Sequence, residues 1–95
     1  MNSLLQSIFK HKPSFVCKNT GEELLLIPLK DNVADFNQYL VLNELGAFIW
    51  NLIDETTTIA SLQEKILQEF EVTAEQLNAD LSVFIPELHR YTCGS

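Results

Sequence analysis

Leu42-Asn43-Glu44-Leu45-Gly46-Ala47-Phe48-Ile49-Trp50 is the stretch at which the apolar pattern of this chain changes its period. Before it, apolar residues alternate or run together as in strands. After it, they recur every three or four residues to the C-terminus, as on helices with one apolar face. A single change of period predicts an α+β chain: a small antiparallel sheet first, then three helices, an order shared with winged helix-turn-helix proteins.

Upstream of Leu42 the third strand is expected from about Phe36. Its alternation sets Phe36, Gln38, Leu40 and Leu42 on one face and Asn37, Tyr39 and Val41 on the other. With apolar side chains on both faces, such a strand is either central or waits for cover. Phe15–Lys18 and Glu23–Leu29 read as a hairpin joined by Asn19-Thr20-Gly21, residues that tolerate the positive φ of a tight turn. Residues 30–35 break the pattern with charges and Asn32.

Downstream, Asn43 is placed as the N-cap of the first helix, whose stripe is Leu45, Phe48, Ile49 and Leu52. Gly46 inside it costs up to ~1 kcal/mol against Ala and is expected to permit close backbone approach. Thr58 caps the second helix. Thr73 and Gln76 form a capping box for the third, with Val72 and Leu77 at staple positions. The stripe of that last helix is Leu77, Leu81, Phe84, Ile85 and Leu88, and Pro86 within it is expected to kink the chain. Trp50 lies off its helix's main stripe and reads either as core packing or as an anchor for a partner.

The 95 residues, 46% of them hydrophobic, suffice for one core, since domains span roughly 50 to 200 residues. Residues 1–12 read as an N-terminal arm that could swap between copies, 13–91 as the domain, and 92–95 as a tail. No apolar run approaches the ~20 residues of a spanning helix. Lys10 and Lys12 follow the apolar residues of the arm, the reverse of a secretory signal. The expected location is therefore cytoplasmic, with Cys17 and Cys93 as free thiols.

From Asn43 to Arg90 nine acids face Lys65 and Arg90, so the helical half carries the whole net charge of −7. A DNA reader of the winged-helix type needs basic or amide side chains on its exposed helix, and an acidic face repels phosphate. Catalysis fares no better. His11 and His89 are isolated, the carboxylates avoid the apolar stripes, and Gly21, Gly46 and Gly94 form no phosphate loop. Neither an enzyme nor a bound cofactor or metal is expected.

Leu42-Asn43-Glu44-x-Gly46-x-x-Ile49-Trp50-x-Leu52-x-Asp54, then Thr58-Ile59, Ile66-x-x-x-Phe70-x-Val72 and Asp80-x-x-x-Phe84-x-x-x-Leu88, resemble the PqqD-like peptide chaperones, also called recognition elements for ribosomally made, modified peptides. The resemblance covers about Pro13 to Tyr91. It departs from the family's usual pattern at Leu45, Glu55 and Pro86. It implies a three-stranded sheet on three helices, with the leader segment of a precursor peptide adding a strand and filling a cleft beside the third helix. It further implies delivery of that peptide to a modifying enzyme, often a radical S-adenosylmethionine enzyme. On these grounds Gln38, Tyr39, Leu40 and Val41 are expected as the binding edge, with Leu77, Asp80, Leu81 and Phe84 as the facing wall. The acidic wall favours peptides with flanking Lys or Arg. The protein is expected as monomer or homodimer, and the competing readings are an acidic winged-helix module that binds a protein partner and, behind it, a DNA-binding regulator.

Overall fold

In the computed structural model, which describes residues 2–93, the elements run α1 (Asn2–His11), β1 (Phe15–Asn19), β2 (Leu24–Lys30), β3 (Val33–Ala34), β4 (Leu40–Leu42), α2 (Glu44–Leu52), α3 (Ile59–Glu69) and α4 (Ala74–Cys93), with a 3-10 turn at Lys12–Ser14. This is the α+β order expected, antiparallel strands followed by helices, with one helix added in front. The chain divides into two compact units. His11–Asn51 form one; the other joins the residues up to Lys10 to those from Leu52 on.

In the first unit β2 is central. β1 pairs with it antiparallel from Phe15↔Pro28 to Asn19↔Leu24, and Gly21, at φ +104, closes the hairpin with its N–H donated to Asn19 Oδ1 at 2.8 Å. On the other side, β3 pairs Val33 with Lys30 and Ala34 with Leu29, while β4 pairs Leu40 with Leu26 and Leu42 with Leu24. β3 and β4 are thus two pieces of one outer strand, and five residues between them, 35–39, lie opposite only Ile27 and Pro28 of β2.

The single strand expected over residues 36–42 is therefore shorter than its alternation indicated. Asp31 and Asn32 both adopt positive φ (54° and 65°), the requirement of a two-residue hairpin turn. The chain re-pairs at once at Val33. The surplus residues must then leave the ladder before β4 begins at Leu40.

α2 covers one face of this sheet through Trp50, which is 2% exposed. Its indole N–H donates to Cys17 Sγ at 3.2 Å, and the Phe15 ring meets it edge-on at 6.1 Å and 82°. Lys12 donates from Nζ to the Trp50 carbonyl at 2.8 Å, with the ammonium 5.1 Å from the ring centroid. Trp50 is core rather than an exposed anchor, and Lys12, expected in a loose arm, is one of its partners. Asn43 caps α2 as expected, its Oδ1 accepting from Gly46 N at 2.8 Å.

In the second unit Leu5 and Ile8 of α1, Leu62 and Ile66 of α3, and Leu77, Leu81, Ile85 and Leu88 of α4 are all buried. Residues 2–11, expected outside the domain, are thus helical with a buried stripe. Asn2 also accepts from the Ile59 amide at 2.8 Å, satisfying a donor that the start of α3 leaves open. Thr58 and Ser61 form a reciprocal capping box at that start. At α4, Thr73 Oγ1 accepts from Gln76 N at 3.1 Å, but the Gln76 amide reaches forward to Asp80 Oδ1 at 2.9 Å. α4 continues through Pro86 to Cys93.

Trp50→Ala is expected to cost ~3–5 kcal/mol, a large part of the ~5–15 kcal/mol that holds a small domain. Thermal unfolding followed by circular dichroism checks this, and a loss under 1 kcal/mol contradicts the role given to Trp50.

Candidate functional site

The free rim of the outer strand can be located by the alternation of hydrogen bonds along β2. Thr20 N donates to Glu23 O at 2.9 Å, so 20–23 is a hydrogen-bonded pair. In an antiparallel ladder such pairs alternate with non-bonded ones. Lys18–Leu25 and Val16–Ile27 are then the bonded pairs, and Leu25 and Ile27 turn their main chain toward β1. Leu24, Leu26 and Pro28 turn theirs to the opposite side. An independent bond agrees, because Asp35 N donates to Pro28 O at 2.8 Å.

It follows that Leu24–Leu42 and Leu26–Leu40 are the bonded pairs with β4, and that Leu25–Val41 is not. The N–H and C=O of Val41 therefore point away from the sheet. Leu40 and Leu42 point inward with their main chain. Leu42 also buries its side chain (4% exposed), whereas Val41 keeps 41% of its own exposed.

Of the four residues expected as the edge, Leu40 and Val41 lie in β4, whereas Gln38 and Tyr39 precede it. Gln38 N donates to Asp35 O (3.3 Å), and Asn37 N donates to Asp35 Oδ1 (3.0 Å), so an Asp-centred turn bends residues 35–38 off the strand path. Tyr39, 53% exposed, leads from that turn into β4. Leu77, Asp80, Leu81 and Phe84 share one face of α4, at the i, i+3, i+4 and i+7 spacing. Leu77 and Leu81 are closed off at 0% and 1% exposure, while Asp80 and Phe84 are half-buried. These four belong to the helical unit.

Phe36 is not among the residues expected at the edge. It stands 65% exposed on the turn, and its signal was the Asp31-Asn32 pair, which forces the surplus residues off the sheet. Among the described residues no group of three His, Cys, Asp or Glu side chains is arranged to hold a metal ion, and no helix is long and apolar enough to cross a membrane. Cys17 Sγ accepts from the Trp50 indole, and Cys93 Sγ lies 3.4 Å from Thr92 Oγ1.

The residues that carry the resemblance have structural work within their own units. Asn43 starts α2 directly after β4, and Trp50 fixes α2 to the sheet. Asp54 closes the turn after α2 by accepting from Thr56 N, Thr56 Oγ1 and Thr57 Oγ1 at 2.8 to 2.9 Å. These bonds, the Thr56 amide foremost, hold the Asp54 carboxyl below the ordinary carboxylate range.

The chain belongs to the PqqD family: the model of coenzyme PQQ synthesis protein D matches residues 23–92. In fold it is similar to TbiB1, solved in complex with the TbiA(beta) leader peptide, with a TM-score of 0.61 and 24% identity over 79% of this chain and 81% of that one. Among curated proteins none matches this chain.

Because its carboxyl is more acidic folded than unfolded, Asp54 stabilises the protein above the ordinary carboxylate range, and that contribution disappears as pH falls through the folded-state value. Melting temperature measured from pH 6 down to about pH 2 is expected to fall more steeply for the wild type than for Asp54→Asn. Parallel curves contradict the assignment.

Proposed function

We propose that this protein captures the leader segment of a ribosomally made precursor peptide by strand addition at the outer rim of β4 and presents it to a modifying enzyme. A radical S-adenosylmethionine enzyme is the partner the resemblance implies. The observation that carries this reading is the outward main chain of Val41, beside side chains that are apolar and exposed. PqqD membership and the likeness to TbiB1, a protein solved with a leader peptide, support it.

Magnitudes decide what the edge contributes. Val41 offers one donor and one acceptor, each worth only ~0.5–1.5 kcal/mol net. Micromolar binding needs about 8 kcal/mol, so the ladder orients the guest while buried apolar area, at ~25 cal/mol per Å², supplies most of the affinity. Tyr39 and Val41 are the edge side chains available for that burial. Asp80 and Phe84, the accessible members of the α4 face, belong to the same reading as candidate peptide contacts, with Leu77 and Leu81 as the core beneath them.

Val41→Pro removes the outward donor and leaves the two β2–β4 bonded pairs intact, since proline is tolerated where the N–H of an edge strand faces solvent. Affinity for a synthetic leader peptide that the wild type binds, followed by fluorescence anisotropy, is expected to weaken about tenfold. An unchanged dissociation constant in a folded variant overturns the edge. Leu40→Pro, whose N–H faces β2, is expected to lower the melting temperature instead.

A further inference from the structure

Seven large apolar residues stand exposed among the described residues, and Val33, Phe36, Tyr39 and Val41 fall within residues 33–41. Single exposed apolar side chains need no explanation, but a concentration along one outer strand does. Phe36 is the most exposed aromatic of the group at 65%. It sits on the excursion that no ladder can follow, because residues 35–39 lie opposite only two residues of β2. A guest strand paired with Val41 therefore runs out of regular main-chain partners there, and recognition passes to side chains.

The turn that presents Phe36 is already built. Asp35 anchors it by donating to Pro28 O (2.8 Å), and receives bonds from the Asn37 and Gln38 amides at 3.0 and 3.3 Å. An aromatic ring held out on a fixed backbone loses little freedom when covered, which is what a selective contact requires.

Resting on the strand-addition reading and deepening it, we propose that Phe36, with Tyr39 at the start of β4, is the specificity element of the edge: it receives one bulky aliphatic or aromatic side chain of the guest at a fixed distance from the residues that pair with Val41. The ladder is blind to sequence, and the ring is not. The favoured guest is an extended peptide with a large apolar residue placed just beyond its paired segment. Guests with a small or charged residue there are disfavoured.

A random peptide display library, selected in parallel on the wild type, Phe36→Ala and Val41→Pro, tests this. The wild type is expected to enrich peptides with a bulky apolar residue at one fixed position, and Phe36→Ala to lose the preference at that position alone. A resynthesised wild-type winner is expected to bind Phe36→Ala about tenfold more weakly, with little further loss when its bulky residue is changed to Ala. Identical preferences on the wild type and Phe36→Ala, with Val41→Pro impaired, overturn the role of Phe36 and leave the edge reading standing. A wild type that enriches nothing, or enriches the same peptides as Val41→Pro, overturns both.

Discussion

β2 is hydrogen-bonded on both sides, to β1 through Leu25 and Ile27 and to the outer strand through Leu24, Leu26 and Pro28. That alternation leaves β4 with one bonded side and one open side, and it assigns the open side to Val41 rather than to its neighbours. An unpaired rim of this kind is a hazard in a long flat strand. Here it spans only Leu40–Leu42 and is bounded by a turn at one end and a helix cap at the other.

The residues around the rim fix its position without taking part in it. Asn43 turns the chain into α2 one residue after β4 ends, and Trp50, held by Cys17, Phe15 and Lys12, keeps α2 on the sheet. A sequence pattern that marks a peptide-binding family is therefore largely a pattern for folding. The exposed side chains of Tyr39, Val41 and Phe36 fall outside it.

The switch from strands to helices at Leu42–Trp50, the Asn43, Thr58 and Thr73 caps and the apolar stripe of α4 were legible, because each is a local consequence of spacing or of one side chain reaching an amide two or three residues on. The helical state of residues 2–11 was not. Its stripe is short, and its evidence is tertiary, with Asn2 bonded to the Ile59 amide and Leu5 and Ile8 buried. The length of the edge strand was misjudged for a different reason. Alternation over residues 36–42 is a real pattern, but the positive φ values of Asp31 and Asn32 start the outer strand earlier. Register is set by the turn, and a pattern with no knowledge of the turn cannot see the surplus that places Phe36 in solvent. Of the expected edge, the strand position of Leu40 and Val41 was legible, whereas which of the two turns its main chain outward required the register.

Amide hydrogen exchange at Val41, read by nuclear magnetic resonance in the free protein and with leader peptide bound, addresses the open rim most directly. The account predicts that the Val41 amide exchanges far faster than those of Leu40 and Leu42 in the free protein and becomes protected when the peptide binds. A Val41 amide as protected as its neighbours before any peptide is added contradicts it.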